Sequence, residues 1–141
     1  MPFDEGHSGL SMDPLHGTNV LVADDDPAIC DFLGTLLRLE GLFLHIAIAG
    51  TRDLALELAL QHKPRLILMD YTMPGIQPVQ FVARLKKDLP QSRIVLMTSA
   101  HFANEKASEL GLTDFLSKPF DLSALRETIR ACARKSVVPA A

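Results

Sequence analysis

Short apolar runs that end abruptly in polar residues constrain this chain more than any other feature. Val20–Ala23, Leu66–Met69 and Ile94–Met97 run straight into Asp24, Asp70 and Thr98, and Phe115-Leu116 leads into Lys118. A run that is apolar on both faces suits a strand buried in the middle of a parallel sheet. Parallel neighbours cannot be joined by hairpins, so the segments between the runs must be crossovers, usually helical.

Those segments carry helical signals. Pro27 suits the first turn of a helix, Ile29, Leu33, Leu36 and Leu37 repeat at helical spacing, and Gly41 stops the pattern. Leu42 to Ala47 reads as a second strand. Thr51 can cap a helix with Leu54, Ala55, Leu58 and Ala59 facing inward, ended by Pro64. Pro74-Gly75 marks a turn. Val79, Val82 and Leu85 fit a third helix closing near Pro90, and 103–110 a short helix ending at Gly111. Asp121 can cap a last helix carrying Leu122, Leu125 and Ile129. Strand and helix thus alternate five times, the pattern of an α/β domain.

Composition sets the limits. The 141 residues are 48% apolar, enough for one core without staples. A net charge of −3 gives no basic face for nucleic acid. No apolar stretch approaches a membrane span, and the N-terminus lacks the basic start and apolar run of a secretory signal. Residues 1–17, rich in Gly, Ser, Pro, Asp and His, are expected to be a flexible tail, 18–135 the domain, and 136–141 a frayed end with no further domain attached. Cys30 and Cys132 read as small apolar residues in a reducing, cytoplasmic compartment rather than a disulfide pair. His7, His16, His45 and His62 read as solvated, and Met69, Met73 and Met97 as packing.

Ligands of open α/β sheets sit at the carboxyl ends of the strands. The residues found there are Asp24, Asp25 and Asp26, then Asp70, then Thr98 and Ser99, then Lys118 and Pro119. Asp26, before Pro27, reads as a helix cap. Clustered carboxylates repel one another, and a hard cation such as Mg2+ relieves them through oxygen ligands while keeping several waters. Asp70 can act as a nucleophile forming an acyl phosphate, with Lys118 and a hydroxyl holding phosphoryl oxygens.

The segments VLVADDDP, LILMDYTMPG, VLMTSAH and FLSKPF closely resemble the signature blocks of the response-regulator receiver domain of bacterial two-component systems, over roughly residues 18–135. The resemblance implies a doubly wound (βα)5 flavodoxin-like fold with a five-stranded parallel sheet in the order 2-1-3-4-5. It implies Asp70 as the phosphorylation site. Asp25 would be a direct Mg2+ ligand, Asp24 one acting mostly through water, and the Thr72 carbonyl a further ligand. Thr98 would be the switch hydroxyl, with Ser99 as the alternative if the strand end shifts, bringing His101 near the phosphate. Lys118 would bind phosphate, Phe115 would be the switch aromatic, and Pro119 would occupy a cis-proline position. A sensor histidine kinase or histidine phosphotransfer protein would donate the phosphoryl group, and a changed surface would meet a downstream protein or a second copy in a homodimer. The chain would be a stand-alone switch with self-directed phosphotransfer and autodephosphorylation, not an enzyme for a separate substrate.

Two departures from the family pattern stand out. Ile76-Gln77-Pro78 replaces the usual Met-Asp-Gly, and the stretch from Thr98 to Lys118 is a couple of residues short. Two other readings remain at this stage. One is a haloacid-dehalogenase-like phosphatase using Asp24 and Asp26. The other is a receiver-like interaction module that is never phosphorylated.

Overall fold

Strands and helices alternate along the whole of the computed structural model, which describes residues 13–99 and 101–135. In chain order they are β1 (Asn19–Ala23), α1 (Pro27–Glu40), β2 (His45–Ala49), α2 (Arg52–His62), β3 (Leu66–Asp70), α3 (Pro78–Asp88), β4 (Arg93–Ser99), α4 (Ala103–Glu109), β5 (Asp114–Lys118) and α5 (Leu122–Lys135). All pairings are parallel, and the sheet order is β2-β1-β3-β4-β5. The order reverses at β1, so β1 and β3 lie side by side while their crossovers depart to opposite faces, leaving a crevice at their carboxyl ends.

Strand alternation builds two cores. Val20 and Val22 of β1, Leu66 and Leu68 of β3, and Val95 and Met97 of β4 pack with Leu33 and Leu37 of α1 and Leu125 and Ile129 of α5. On the other face, Leu21, Ile67, Met69 and Leu96 pack with Ala55 and Ala59 of α2, Phe81 and Leu85 of α3, and Ala107 of α4. Every residue of β3 is buried, as a strand covered on both faces must be.

The helix ends are set by local chemistry. The Asp26 side chain accepts from Ala28 N, Thr51 Oγ1 from Leu54 N, and Asp121 from Ala124 N. Gly41 ends α1 at φ +68°, a left-handed conformation in which glycine has no Cβ to clash. Residue Lys63 takes a similar role for α2, at φ +50°.

Several expectations are corrected. Residues 13–17 form a turn rather than a tail: Leu15 N donates to Asp13 Oδ1, Gly17 N to the Leu42 carbonyl, and the Leu15 side chain is fully buried in the core. The rest of that segment, with His7, and residues 136–141 lie outside the described residues. The second strand starts at His45, not Leu42, because its ladder begins opposite Asn19; Leu42 is instead a buried loop residue. Leu54 and Val79 face outward, 41% and 62% exposed. α2 seats itself through the small Ala55 and Ala59, and α3 through Phe81, Val82 and Leu85. Cys30 and Cys132 are buried thiols with no disulfide between them.

Candidate functional site

The crevice at the carboxyl end of β1 and β3 holds three carboxylates. One ligand oxygen each from Asp24, Asp25 and Asp70 lies within 4.8 Å of the others. Asp24 and Asp70 are buried and Asp25 is exposed, so the cluster opens to solvent on the Asp25 side.

Asp24 is held on every side. Its N–H donates to the Ala49 carbonyl at 3.0 Å, its Oδ1 accepts from Asp26 N at 2.9 Å, and its carbonyl accepts from Cys30 Sγ at 3.2 Å. The turn that caps α1 therefore also fixes the orientation of the first acid. Asp26 is spent on that cap and is not part of the cluster. An Asp24/Asp26 pair is thus not the catalytic constellation here; the partner that reaches Asp24 and Asp25 is Asp70, from another strand.

Lys118, at the end of β5, crosses the crevice. Its ammonium donates to Asp24 Oδ2 at 2.7 Å and to Asp70 Oδ1 at 3.0 Å. The next peptide bond, Lys118–Pro119, is cis. Burial pushes the Asp70 carboxyl above its ordinary range; the Lys118 hydrogen bond opposes the rise, and the charges of Asp24 and Asp25 add to it. Burial works against the Lys118 ammonium too, but its bonds to Asp24 and Asp70 prevail and its pKa is raised. Burial, and then the Asp24 charge, pushes the Cys30 thiol up, so it stays a neutral donor.

Thr98 is the last buried residue of β4, 8% exposed, while Ser99 is exposed and pairs in register with Lys118. His101 is exposed, its ring 6.4 Å from that of Phe102 in a T-shaped arrangement. Phe115 projects outward, 38% exposed. Thr72 is exposed in the loop after Asp70.

Three carboxylates against one ammonium leave an excess of two negative charges when all the acids are ionised. All donors are oxygens, and one side is open. A hard divalent cation fits this set; Asp24, Asp25 and Asp70 are the side chains that would hold it.

Sequence reasoning missed Arg52. It is 5% exposed and its guanidinium is hydrogen-bonded to main-chain carbonyls of the loop that follows Asp70. One signal was available: a cation at the first position of α2, where the helix dipole disfavours positive charge.

The model of the family described as the response regulator receiver domain matches residues 20–130. The chain is 32% identical over 119 residues to the KDP operon transcriptional regulatory protein KdpE of Escherichia coli, covering 84% of this chain and 52% of the relative. It is 31% identical over 121 residues to the DNA-binding dual master transcriptional regulator RpaA of a Synechocystis species, covering 83% and 49%. The chain thus spans about half the length of these relatives. Among solved structures, the REC domain of AraT, a response regulator from Geobacillus stearothermophilus, superposes with a TM-score of 0.74 at 27% identity, covering 84% of this chain and 94% of that one.

Proposed function

The chain belongs to the response regulator receiver domain family, and from that premise we propose that Asp70 accepts a phosphoryl group from a phosphohistidine donor. The single observation that carries this reading is the Lys118 ammonium bound to Asp70 beside two further carboxylates. A buried acid in company with other acids is a strong nucleophile only when its surroundings neutralise the arriving phosphoryl oxygens.

In the transfer, an Asp70 oxygen attacks phosphorus, the donor's P–N bond breaks, and a P–O bond forms. The departing imidazole nitrogen takes back its electron pair. Mg2+, held by Asp24, Asp25, Asp70 and the Thr72 carbonyl, would supply charge neutralisation for the phosphoryl oxygens. Lys118 contributes an ammonium already at the acceptor, and Thr98, buried at the end of the adjacent strand, contributes a hydroxyl to the new anion. Phe115 would then turn inward, changing the face offered to a partner; this is a two-state equilibrium biased by a local charge. The donor would be a sensor histidine kinase or a histidine phosphotransfer protein, and the recipient of the signal a downstream protein or a second copy of the chain. No described helix is long and apolar enough to cross a membrane, in keeping with a cytoplasmic signalling role.

Intact mass after incubation with acetyl phosphate tests the reading. Wild type should gain one phosphoryl group only with Mg2+, and Asp70→Asn none. Equal uptake by Asp70→Asn would move the chemistry elsewhere, and no uptake by wild type under any condition would favour a module that is never phosphorylated.

A further inference from the structure

We propose that Arg52 is a positioning residue for phosphoryl transfer: its buried side chain fixes the loop from Asp70 to Ile76, and with it the acceptor and the metal-binding carbonyl. This rests on the reading of Asp70 given above.

The geometry is specific. Arg52 Nε donates to the Ile76 carbonyl at 2.5 Å, Nη1 to the carbonyls of Asp70 at 3.3 Å and Tyr71 at 3.1 Å, and Nη2 to that of Met73 at 2.7 Å. Its own backbone N–H donates to the Pro74 carbonyl at 2.9 Å. One residue thereby engages five of the seven carbonyls from Asp70 to Ile76. The Thr72 carbonyl, the one assigned to the metal, is not among them.

Among the described residues no ion pair involves Arg52. All of its side-chain hydrogen bonds go to main-chain carbonyls. Burial lowers its pKa, and the nearby charges of Asp70, Tyr71 and Asp53 offset part of that penalty. Arginine presents five donors in a rigid fork, so it can clamp several carbonyls at once; a lysine ammonium cannot span the same set.

A second contact locks the loop to the same helix end. Gly75 has φ +112°, and a Cβ there would lie 2.9 Å from Arg52 N and 2.9 Å from Asp53 Oδ2. The loop is therefore pressed against the first turn of α2 with no room for a methyl group. The clamp also reaches Ile76, the first residue of the Ile76-Gln77-Pro78 segment that departs from the family pattern. This loop is held from the first turn of α2 and not by its own sequence alone. Partners that orient metal ligands typically change affinity or activity by about 10–100-fold when replaced.

The test uses the full chain and Mg2+ alone, then Mg2+ with acetyl phosphate. Tyr71 is the only tyrosine and there is no tryptophan, so intrinsic fluorescence reports on the loop itself. Arg52→Lys should fold, bind Mg2+ about 10–100-fold more weakly, and gain phosphate more slowly at fixed Mg2+. Arg93→Lys, in an ion pair with Asp114 at the other end of the sheet, should lose stability with unchanged Mg2+ affinity. That contrast separates positioning from general destabilisation. Gly75→Ala displaces the same loop without touching the guanidinium and should weaken Mg2+ binding in the same direction. A folded Arg52→Lys, or a folded Gly75→Ala if Arg52→Lys does not fold, that binds Mg2+ and takes up phosphate like wild type overturns the proposal. Wild type that takes up no phosphate overturns the Asp70 reading and the role of Arg52 together.

Discussion

Asp70 and Asp114 are almost equally buried, at 6% and 7% exposed, yet their surroundings are opposite. Asp114, at the amino end of β5, meets two cations, Arg93 at 3.1 Å and Lys135. Asp70, at the carboxyl end of β3, shares one ammonium with Asp24 and has Asp25 beside it as well. One end of the sheet carries an acid with cations to spare, and the other carries acids with too few. A surplus of cations closes a structural ion pair; a deficit leaves a site that something else must complete. Burial alone would rank the two aspartates together, whereas counting charges separates the one closed by its ion pairs from the one left short of positive charge.

Four outcomes would sharpen or break that contrast. The largest is metal-linked. Mg2+ at 100 times its dissociation constant should stabilise wild type by about 2.7 kcal/mol, which is roughly 5–10 °C in melting temperature for a domain of this size. The same addition should do far less for Asp25→Asn. Thermal melts with and without Mg2+ read both.

Next, Asp114→Ala should cost about 1–3 kcal/mol in urea denaturation, the same with and without Mg2+, because it strands Arg93 and Lys135. Both cations keep some contact with water, at 30% and 41% side-chain exposure, so the loss falls short of that for a fully buried pair. A loss that depends on Mg2+ would erase the distinction between the two ends.

A smaller effect has the opposite sign. Without metal, Asp70→Asn should stabilise the fold by up to about 1 kcal/mol, since it removes a buried charge beside two others while leaving an oxygen to accept from Lys118. Destabilisation on this substitution would mean that Lys118 already balances the cluster.

The smallest effect is in pH. In the metal-free protein the folded pKa of Asp70 lies above its unfolded value, chiefly through burial. The folded state then holds that proton more tightly. Asp70's share of stability is full below the unfolded value and is lost as pH rises through the raised folded one. Asp70→Asn should abolish that part of the slope in denaturation curves taken across the acid range. Mg2+ competes with the proton, so its affinity should fall as pH drops through the same window.

Much of this was legible in the chain because it depends on neighbours in sequence. Asp26, Thr51 and Asp121 cap helices in the residues that follow them, and Gly41 ends α1 through its own backbone freedom. The acids at strand ends were legible too, since a strand's end fixes where the next side chain emerges. Asp26 could be separated from Asp24 and Asp25 by the proline behind it. What stayed hidden depends on distant contacts. Leu15 reads as part of a polar tail but is buried by elements that begin later in the chain. Leu54 and Val79 fit the helical period, yet the packing of α2 and α3 selects other residues. Arg52 has no partner within its own helix that would betray its role; its acceptors lie 18 to 24 residues away.

Calorimetric titration of Mg2+ into wild type, Asp25→Asn and Asp114→Ala tests the charge-deficit account most directly. One ion per wild-type chain, saturable binding lost in Asp25→Asn and kept in folded Asp114→Ala, is the predicted result. Absence of saturable binding to wild type, or equal binding by Asp25→Asn, would contradict it.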